Sequence, residues 1–238
     1  FSEISAGLTD IQDGEAKWLD YNNDQLPDVI LSGTSDGGGV TEQFRGNGDG
    51  SFTKIGIAFS TFTSATIEIA DINNDGFVDL VISGNGEGGA DLAIYVNANG
   101  TTFSENAQAL TEVVSSSLDL ADIDEDGDVD MIVTGQIPVG NPSTILYLND
   151  GNGSFTEDIA NFGTFPNIHR GIIKFADFNS DGKLDLFLAG NENVGSSNFN
   201  SYLYQNILST SDQVPGVPTN PTTNQVGNAV NISWEAPT

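Results

Sequence analysis

Residues 122–130 read DIDEDGDVD and place six carboxylates within nine positions. An apolar core does not tolerate so much charge, and an ordinary turn does not require it. Three other stretches also carry an acidic or amide side chain at positions one, three, five and nine: DYNNDQLPD from Asp20, DINNDGFVD from Asp71 and DFNSDGKLD from Asp177. The four copies begin 51, 51 and 55 residues apart. A nearly fixed period of this length predicts a repeat architecture.

Each acidic stretch lies between two short apolar runs. The runs before it are AKWLD, IEIAD, LDLAD and IKFAD, and the runs after it are DVILSG, DLVISG, DMIVTG and DLFLAG. Such β-branched runs ending in glycine predict two strands joined by the acidic loop. A third strand is predicted in TEQFRGN, LAIYVNA, TILYLND and SYLYQN, and a glycine turn with a phenylalanine then begins a fourth: FTKI, FSEN and FTED.

Each repeat therefore predicts about 50 residues in four short antiparallel strands, which is the unit of a β-propeller blade. The predicted fold class is all-β, a β-propeller of four-stranded antiparallel blades over residues 1–208. A β-sandwich is the disfavoured alternative, because a sandwich does not repeat four strands four times. Residues 1–4 resemble the fourth strand of a blade. Either they close the last blade, or, as we favour, the four repeats are a fragment of a ring of roughly six to eight blades.

The composition restricts the function. The chain has 34 acidic and 6 basic residues, for a formal net charge of −28, and no cysteine. This charge argues against nucleic-acid partners and against anionic membrane surfaces, since both attract basic patches. No apolar run is long enough to cross a bilayer, so we expect no direct membrane insertion. So acidic a chain needs countercharge, and bound cations would supply it.

The acidic loop has the composition of a calcium site. Side-chain oxygens at positions one, three and five, a carbonyl at position seven and a carboxylate at position nine can surround one ion, and glycine at position six permits the turn. An EF-hand is excluded because position 12, such as Val133, is a strand residue rather than glutamate. Magnesium keeps more of its water, and soft metals prefer cysteine and histidine. The alternative is a set of solvated acidic turns without an ion, and the recurrence of the oxygen positions argues against it.

These segments resemble a known family. The DINNDGFVDLVISG and YLNDGNGSF types of segment are similar to the FG-GAP and VCBS repeats that form integrin-α-like propellers, and the resemblance covers residues 1–208. It implies up to four Ca²⁺ sites. The implied side-chain ligands are Asp20, Asn22, Asp24 and Asp28; Asp71, Asn73, Asp75 and Asp79; Asp122, Asp124, Asp126 and Asp130; and Asp177, Asn179, Asp181 and Asp185. The implied carbonyl ligands are Leu26, Phe77, Asp128 and Lys183.

The four loops are not equivalent. The first departs from the pattern, because Gln25 replaces the glycine and Pro27 follows it, so we expect it to be the weakest site. The third carries four ligand carboxylates and is expected to be the strongest. The side chains of Glu125 and Asp128 in that loop are expected to point to water.

The end of the chain has a different character. Residues 209–217 read as a polar, proline-containing linker. Residues 218–238 resemble the first two strands of a fibronectin type III domain, the start of a truncated β-sandwich, with Trp234 as its core tryptophan.

Little in the sequence suggests catalysis, and we predict that the chain is not an enzyme. Its single histidine, His169, stands beside Arg170 in what reads as a surface loop, without a recurring nucleophile or acid. Glu42, Glu68 and Glu157 fall in strand-like runs and are expected to face solvent.

The connections between repeats carry aromatic residues. They are Phe59, Phe62, Phe162 and Phe165. We expect these side chains to pack between blades. The alternative is exposure on one face of the propeller, where they could stack on sugar rings or peptide.

The resulting functional prediction is a calcium-binding, extracellular or cell-surface propeller module for adhesion or for binding a protein or carbohydrate partner. Its alternatives are the propeller part of a secreted polysaccharide-degrading enzyme and a purely structural spacer.

Overall fold

A computed structural model describes residues 1–158, 164–195 and 199–207, and the backbones of residues 219–226 and 229–235. The chain divides into two compact units, Phe1–Asn206 and Ile207–Thr238. The predicted linker, residues 209–217, lies outside the described residues, as does Phe162.

The first unit consists of antiparallel sheets that follow one another along the chain, here called blades 1 to 4. In each blade, consecutive strands are hydrogen-bonded neighbours. Blade 1 contains β1 (Gln12–Leu19), β2 (Asp28–Ser35), β3 (Gly38–Gly46) and β4 (Phe52–Ile55); blade 2 contains β5 (Thr63–Ala70), β6 (Asp79–Gly86), β7 (Gly89–Asn97) and β8 (Phe103–Glu105). Blade 3 contains β9 (Val114–Ala121), β10 (Asp130–Gln136), β11 (Pro142–Asn149) and β12 (Phe155–Glu157); blade 4 contains β13 (His169–Ala176), β14 (Asp185–Asn191) and β15 (Phe199–Tyr204).

The strands predicted from the sequence are present, and the described residues contain no helix, so the all-β prediction is confirmed. The first strands of successive blades lie side by side, β1 beside β5, β5 beside β9 and β9 beside β13. This is the arrangement of strands around a propeller axis. The part of the chain that the structure describes has no helical segment that could span a bilayer.

The core lies between successive blades. Ile30 of blade 1 packs in one cluster with Ile67 of blade 2, and Val81 of blade 2 packs with Val133 of blade 3. The second strands β2, β6 and β10 are buried along almost their whole length because both of their faces pack against apolar side chains. This explains their continuous apolar sequence, in contrast to the alternating first strands.

The two outer blades end differently. The outer side chains of blade 1, Val29, Leu31 and Phe44, are buried with Leu8 and Ile11 packed against them. Blade 4 has three strands in the described residues, and residues 1–11 form no strand. The alternative in which residues 1–4 add a fourth strand to the last blade is therefore not observed.

The first strands also carry a group of charges at one equivalent position, the third residue before each acidic loop. We call Lys17, Glu68, Asp119 and Lys174 the charged quartet. Lys17 Nζ lies 3.0 Å from a Glu68 carboxylate oxygen, and Lys174 Nζ lies 2.9 Å from the other Glu68 oxygen and 2.6 Å from Asp119. The quartet thus links side chains from all four blades.

The second unit contains β16 (Thr219–Val226) and β17 (Ala229–Glu235), which pair antiparallel. The predicted role of Trp234 concerns a side chain outside the described part of the structure.

Candidate metal centre

Each acidic loop connects the first and second strands of its blade. Position one directly follows the first strand, and position nine is the first residue of the second strand, so that Asp79, for example, pairs with Ala70 across the hairpin. All four loops are therefore anchored at both ends by the same antiparallel ladder. The structure places every predicted side-chain ligand in these four loops, with one loop per blade.

The aspartate at position nine is buried in every loop. Asp130 has no exposed surface, and its two carboxylate oxygens accept hydrogen bonds from the backbone N–H groups of Ile123 and Asn149, both at 2.9 Å. The equivalent residues Asp28, Asp79 and Asp185 accept a similar pair of hydrogen bonds. One comes from position two of their own loop, and the other comes from the end of the third strand or, for Asp185, from Asn206 just beyond it. This carboxylate therefore joins the loop to the third strand.

Burial changes the acidity of this aspartate. It raises the pKa of Asp130 to about 6, and the pKa of Asp79 also to about 6. Desolvation is the main cause, the two backbone hydrogen bonds oppose it, and the neighbouring loop carboxylates add to it. Burial likewise raises the pKa of Asp28. A nearby cation would favour the charged form of these groups.

The side chains at positions one, three and five turn toward the loop backbone. Asp71 accepts hydrogen bonds from the N–H groups of Asp75 at 3.0 Å and Gly76 at 2.7 Å, and Asp75 accepts one from Phe77 at 2.9 Å. The first and fourth loops repeat these contacts. The oxygens of the predicted ligands therefore point inward, as a wrapped ion requires.

Position six has a left-handed backbone in every loop. The φ angle is +89° at Gly76, +95° at Gly127 and +90° at Gly182. The first loop adopts the same conformation with a side chain, because φ is +69° at Gln25. This confirms that the sequence departure at Gln25 falls on a position where glycine is favoured.

The third loop brings three carboxylates together. Asp122, Asp124 and Asp130 each offer an oxygen, and these oxygens lie within 4.8 Å of one another. The Oδ1 atom of Asp122 is buried and has no hydrogen-bond partner among the described residues. Burial raises the pKa of Asp124, and the charge of Asp126 adds to this effect. An orphaned buried carboxylate oxygen next to two other carboxylates is the donor set that a hard cation satisfies.

The other loops have an amide at position three in place of the third carboxylate. Asn22, Asn73 and Asn179 each donate a side-chain N–H to the position-five aspartate of their own loop, at 2.9, 3.1 and 2.9 Å. Their amide oxygens accept the N–H of the same aspartate. These loops are internally satisfied to a greater extent than the third one.

Sequence reasoning missed contacts between neighbouring loops. The side chain of Asn23 donates to the carbonyl of Gly76 at 3.0 Å, and Asn74 donates to Asp128 at 2.7 Å. The expectation that the Asp128 side chain only faces water is therefore wrong, because it accepts a hydrogen bond from the preceding loop. The predicted carbonyl ligands Leu26, Phe77, Asp128 and Lys183 stay predictions.

Sequence reasoning also missed an asparagine at or just beyond the end of the third strand, which is buried in blades 2 and 3 and half-buried in blade 4. The side-chain amides of Asn97, Asn149 and Asn206 each donate to the position-two carbonyl of the preceding blade's loop, at 2.8, 2.8 and 3.0 Å. The signal was available, because an asparagine follows the position-nine aspartate by 18, 19 and 21 residues in blades 2, 3 and 4.

The predicted environment of several other residues needs correction. His169 is not in a surface loop; it begins β13, is only 2% exposed, and its ring nitrogens have no hydrogen-bond partner among the described residues. Arg170 is exposed, in an irregular part of β13. Glu42 and Glu68 do not face solvent and are half-buried. Glu42 forms an ion pair with Lys54, and Glu68 forms ion pairs with the two lysines of the charged quartet. Glu157 is exposed, as expected.

Three of the four aromatic residues in the connections lie in the described residues, and they pack between blades. Phe62 is fully buried, Phe59 packs against the same cluster, and Phe165 packs against the cluster between blades 3 and 4. The ring of Phe59 lies 5.1 Å from that of Tyr95 in an edge-on arrangement. A cavity of about 420 Å³ lies beside them, lined also by Glu87, Asp91 and Glu105.

Comparison with known families agrees with this geometry. The sequence profile described as FG-GAP-like repeat matches residues 20–82, 71–133 and 122–188. The chain belongs to the FG-GAP-like repeat family. Each match begins at one acidic loop and ends in the second strand of the following blade, so consecutive matches share a loop. A search of curated proteins returned no match.

Proposed function

We propose that this FG-GAP-like chain is a calcium-binding propeller module with an extracellular role in adhesion or ligand binding. The observation that carries the calcium part is the third loop, where the oxygens of Asp122, Asp124 and Asp130 lie within 4.8 Å of one another. Three carboxylates so close repel one another unless a cation or protons neutralise them. Calcium favours such an all-oxygen donor set.

The described residues fit the ion. In the third loop Asp122, Asp124, Asp126 and Asp130 would hold it, and in the other loops the equivalent aspartates and one asparagine would do so. The ion would supply positive charge to a chain with a formal net charge of −28. Its role in this proposal is structural, since it would join the two inner strands of a blade at the loop.

A calorimetric calcium titration of chelator-treated protein tests this proposal. We expect a tight step from the third loop followed by weaker steps from the others, with a parallel rise in thermal stability. A magnesium titration is the matched control and is expected to bind more weakly, because magnesium dehydrates reluctantly. Absence of both binding heat and stabilisation by calcium would refute the proposal.

The ligand-binding part is supported by family membership and by the cavity between blade 2 and the connection that precedes it. Phe59 and Tyr95 line this cavity together with Glu87, Asp91 and Glu105. Aromatic rings beside acidic groups suit a sugar or a polar peptide, the two partner classes proposed for this module. A screen against glycan and extracellular-protein arrays, repeated with Phe59→Ala, tests this part; the structural-spacer alternative predicts no hit in either protein.

Binding rather than catalysis is the role we propose. The residue pair that could act as a base and an anion-binding group in a polysaccharide-degrading enzyme is His169 with Arg170. The burial of His169 at the start of β13 leaves that alternative without support from this residue.

A further inference from the structure

We propose that Asn97, Asn149 and Asn206 couple the acidic loops of neighbouring blades, so that a cation bound in one loop strengthens cation binding in the next. This inference rests on the proposed calcium function and concerns residues outside the loops themselves. Asn97 and Asn149 end the third strands of their blades, and Asn206 lies two residues beyond β15. Each of the three contacts two different loops.

Asn149 shows the connection most completely. Its backbone N–H donates to Asp130 of its own loop at 2.9 Å, and its side-chain amide donates to the carbonyl of Ile72 in the preceding loop at 2.8 Å. Its side-chain oxygen accepts the N–H of Gly153, which fixes the orientation of the amide group. Asn149 is therefore hydrogen-bonded to two acidic loops in two different blades.

The chain of contacts is continuous at Ile72. The N–H of Ile72 donates to Asp79, the position-nine aspartate of its own loop, at 3.0 Å, while its carbonyl accepts from Asn149. One residue, Ile72, and one asparagine thus separate the carboxylates of Asp79 and Asp130. Because Ile72, Asn149 and both aspartates are buried, water does not compete for these hydrogen bonds, and a displacement of one carboxylate is transmitted to the other.

The pattern repeats along the protein. Asn97 joins the carbonyl of Tyr21 to Asp79, and Asn206 joins the carbonyl of Ile123 to Asp185. The result is one series of hydrogen bonds from the first loop to the fourth, buried between blades 1 and 3 and partly buried at blade 4. A cation that fixes a position-nine carboxylate would order the next blade's asparagine and with it the next site.

Blade 1 supplies a natural comparison. Gly46 occupies the equivalent place, and its N–H donates to Asp28 at 2.8 Å, but it has no side chain to reach another loop. The contact within the blade therefore forms without the contact between blades. Asn149→Gly reproduces this arrangement in blade 3 and keeps the hydrogen bond to Asp130.

The acidic loops of blades 1 to 4 are called loops 1 to 4. The test measures calcium binding at loop 2 and at loop 3 separately by NMR. The N–H groups of Gly76 and Gly127 each donate to the first aspartate of their own loop, so their amide signals report calcium in loops 2 and 3.

Because Asn74 also joins loop 2 to Asp128, both proteins that are compared carry Asn74→Ala. With Asn149 intact, Asp126→Ala in loop 3 is expected to weaken calcium binding at loop 2 about fivefold or more, the lower end of typical coupling between sites. In the added Asn149→Gly background, Asp126→Ala is expected to leave loop 2 unchanged.

Gln108→Ala is the matched control. Gln108 is hydrogen-bonded to Gly153 and Phe155 of blade 3 from the connection after blade 2, and among the described residues it forms no hydrogen bond with either acidic loop. Asn106 donates to the same Gly153 carbonyl at 2.8 Å, so the variant keeps Gly153 in place beside Asn149. Gln108→Ala removes hydrogen bonds between blades 2 and 3 and should lower the stability of the protein. The weakening of calcium binding at loop 2 by Asp126→Ala should persist in this variant. Loss of that response in this control would assign the coupling to general blade contact and overturn the role of Asn149.

The outcomes separate this inference from the proposed function. Calcium shifts at both glycines, with loop 2 affinity independent of Asp126 in the Asn74→Ala chain, would overturn the coupling and leave calcium binding intact. Absence of calcium shifts at both glycines would overturn the proposed function and the coupling with it. If Asn149→Gly unfolds, Asn97→Gly with loop 1 and loop 2 as the pair provides the same test.

Discussion

The third and first acidic loops occupy the same place in their blades but differ in charge and in backbone strain. The third has an aspartate at position three and a glycine at position six, Asp124 and Gly127. The first has Asn22 and Gln25 there, and Gln25 holds the left-handed backbone with φ at +69°. Both loops form the same hydrogen bonds at position nine. The buried aspartate at position nine therefore determines the structure that the loops share. The residues at positions three and six are expected to determine how tightly each loop binds a cation.

The largest expected effect that tests this comparison is removal of calcium. A site held at about 100 times its dissociation constant contributes about 2.7 kcal/mol to the free energy of unfolding. For a domain of this size that corresponds to roughly 5–10 °C in Tm for the third loop alone. Calorimetric melting curves with calcium and with chelator measure the difference, and identical curves would contradict it.

A pair of matched substitutions separates the two loops. Asp126→Ala is expected to remove the tightest step of a calcium titration and to cost about 2–3 kcal/mol of calcium-dependent stability. Asp24→Ala makes the equivalent change in the first loop and is expected to remove only a weak step. Equal losses in the two variants would show that the difference in charge between the loops does not determine their affinity.

The next largest expected effect is that of acidification, which should weaken calcium binding at the third loop. Because burial raises the pKa of Asp130 to about 6, this carboxyl binds a proton below that pH, and calcium must displace it. The calcium affinity reported by the Gly127 amide is expected to fall roughly tenfold between pH 7 and pH 5. An affinity that is constant over this range would contradict the assignment of Asp130 as a ligand.

In the protein without calcium, the raised pKa of Asp130 makes acidification stabilising. A folded-state pKa above the unfolded value means that the stability contribution of Asp130 is complete below about pH 4 and is lost as the pH rises through about 6. In chelator, Tm should therefore rise on mild acidification from pH 7. A fall in Tm over the same interval would contradict this sign.

The smallest expected effect concerns backbone strain. Gln25→Gly should stabilise the calcium-free protein by about 1 kcal/mol, because a non-glycine residue in the left-handed region costs about that much. Gly127→Ala should destabilise it by a similar amount, and no atom lies within 4 Å of the added Cβ to introduce a clash. Urea unfolding in chelator measures both. A change of the same sign in the two variants would exclude backbone strain as the cause.

The sequence predicted the strands and the acidic loops because these features are local. Alternating runs, glycines and the recurring aspartates determine each hairpin within about 50 residues. The burial of His169 and Glu68 was missed, because it depends on which blades pack against the first strands. The residues next to His169 and Glu68 in the sequence do not indicate which blades pack against them.

The asparagine contacts were only partly accessible to sequence reasoning. Asn149 stands inside the YLNDGNGSF segment, so its recurrence was visible. Its partner Ile72 is 77 residues away and belongs to another blade. A regular spacing identifies an equivalent position, but it does not identify the atom that an equivalent side chain contacts in the next repeat.

The charged quartet has a consequence for how the chain folds. Repeats with similar sequences can pair with the wrong neighbour while the chain collapses. Lys17 and Lys174 lie in blades 1 and 4, Glu68 and Asp119 lie in blades 2 and 3, and each lysine forms an ion pair with an acid of another blade. An order of blades that placed the two lysines on adjacent first strands would put like charges together. The quartet therefore disfavours such orders during assembly.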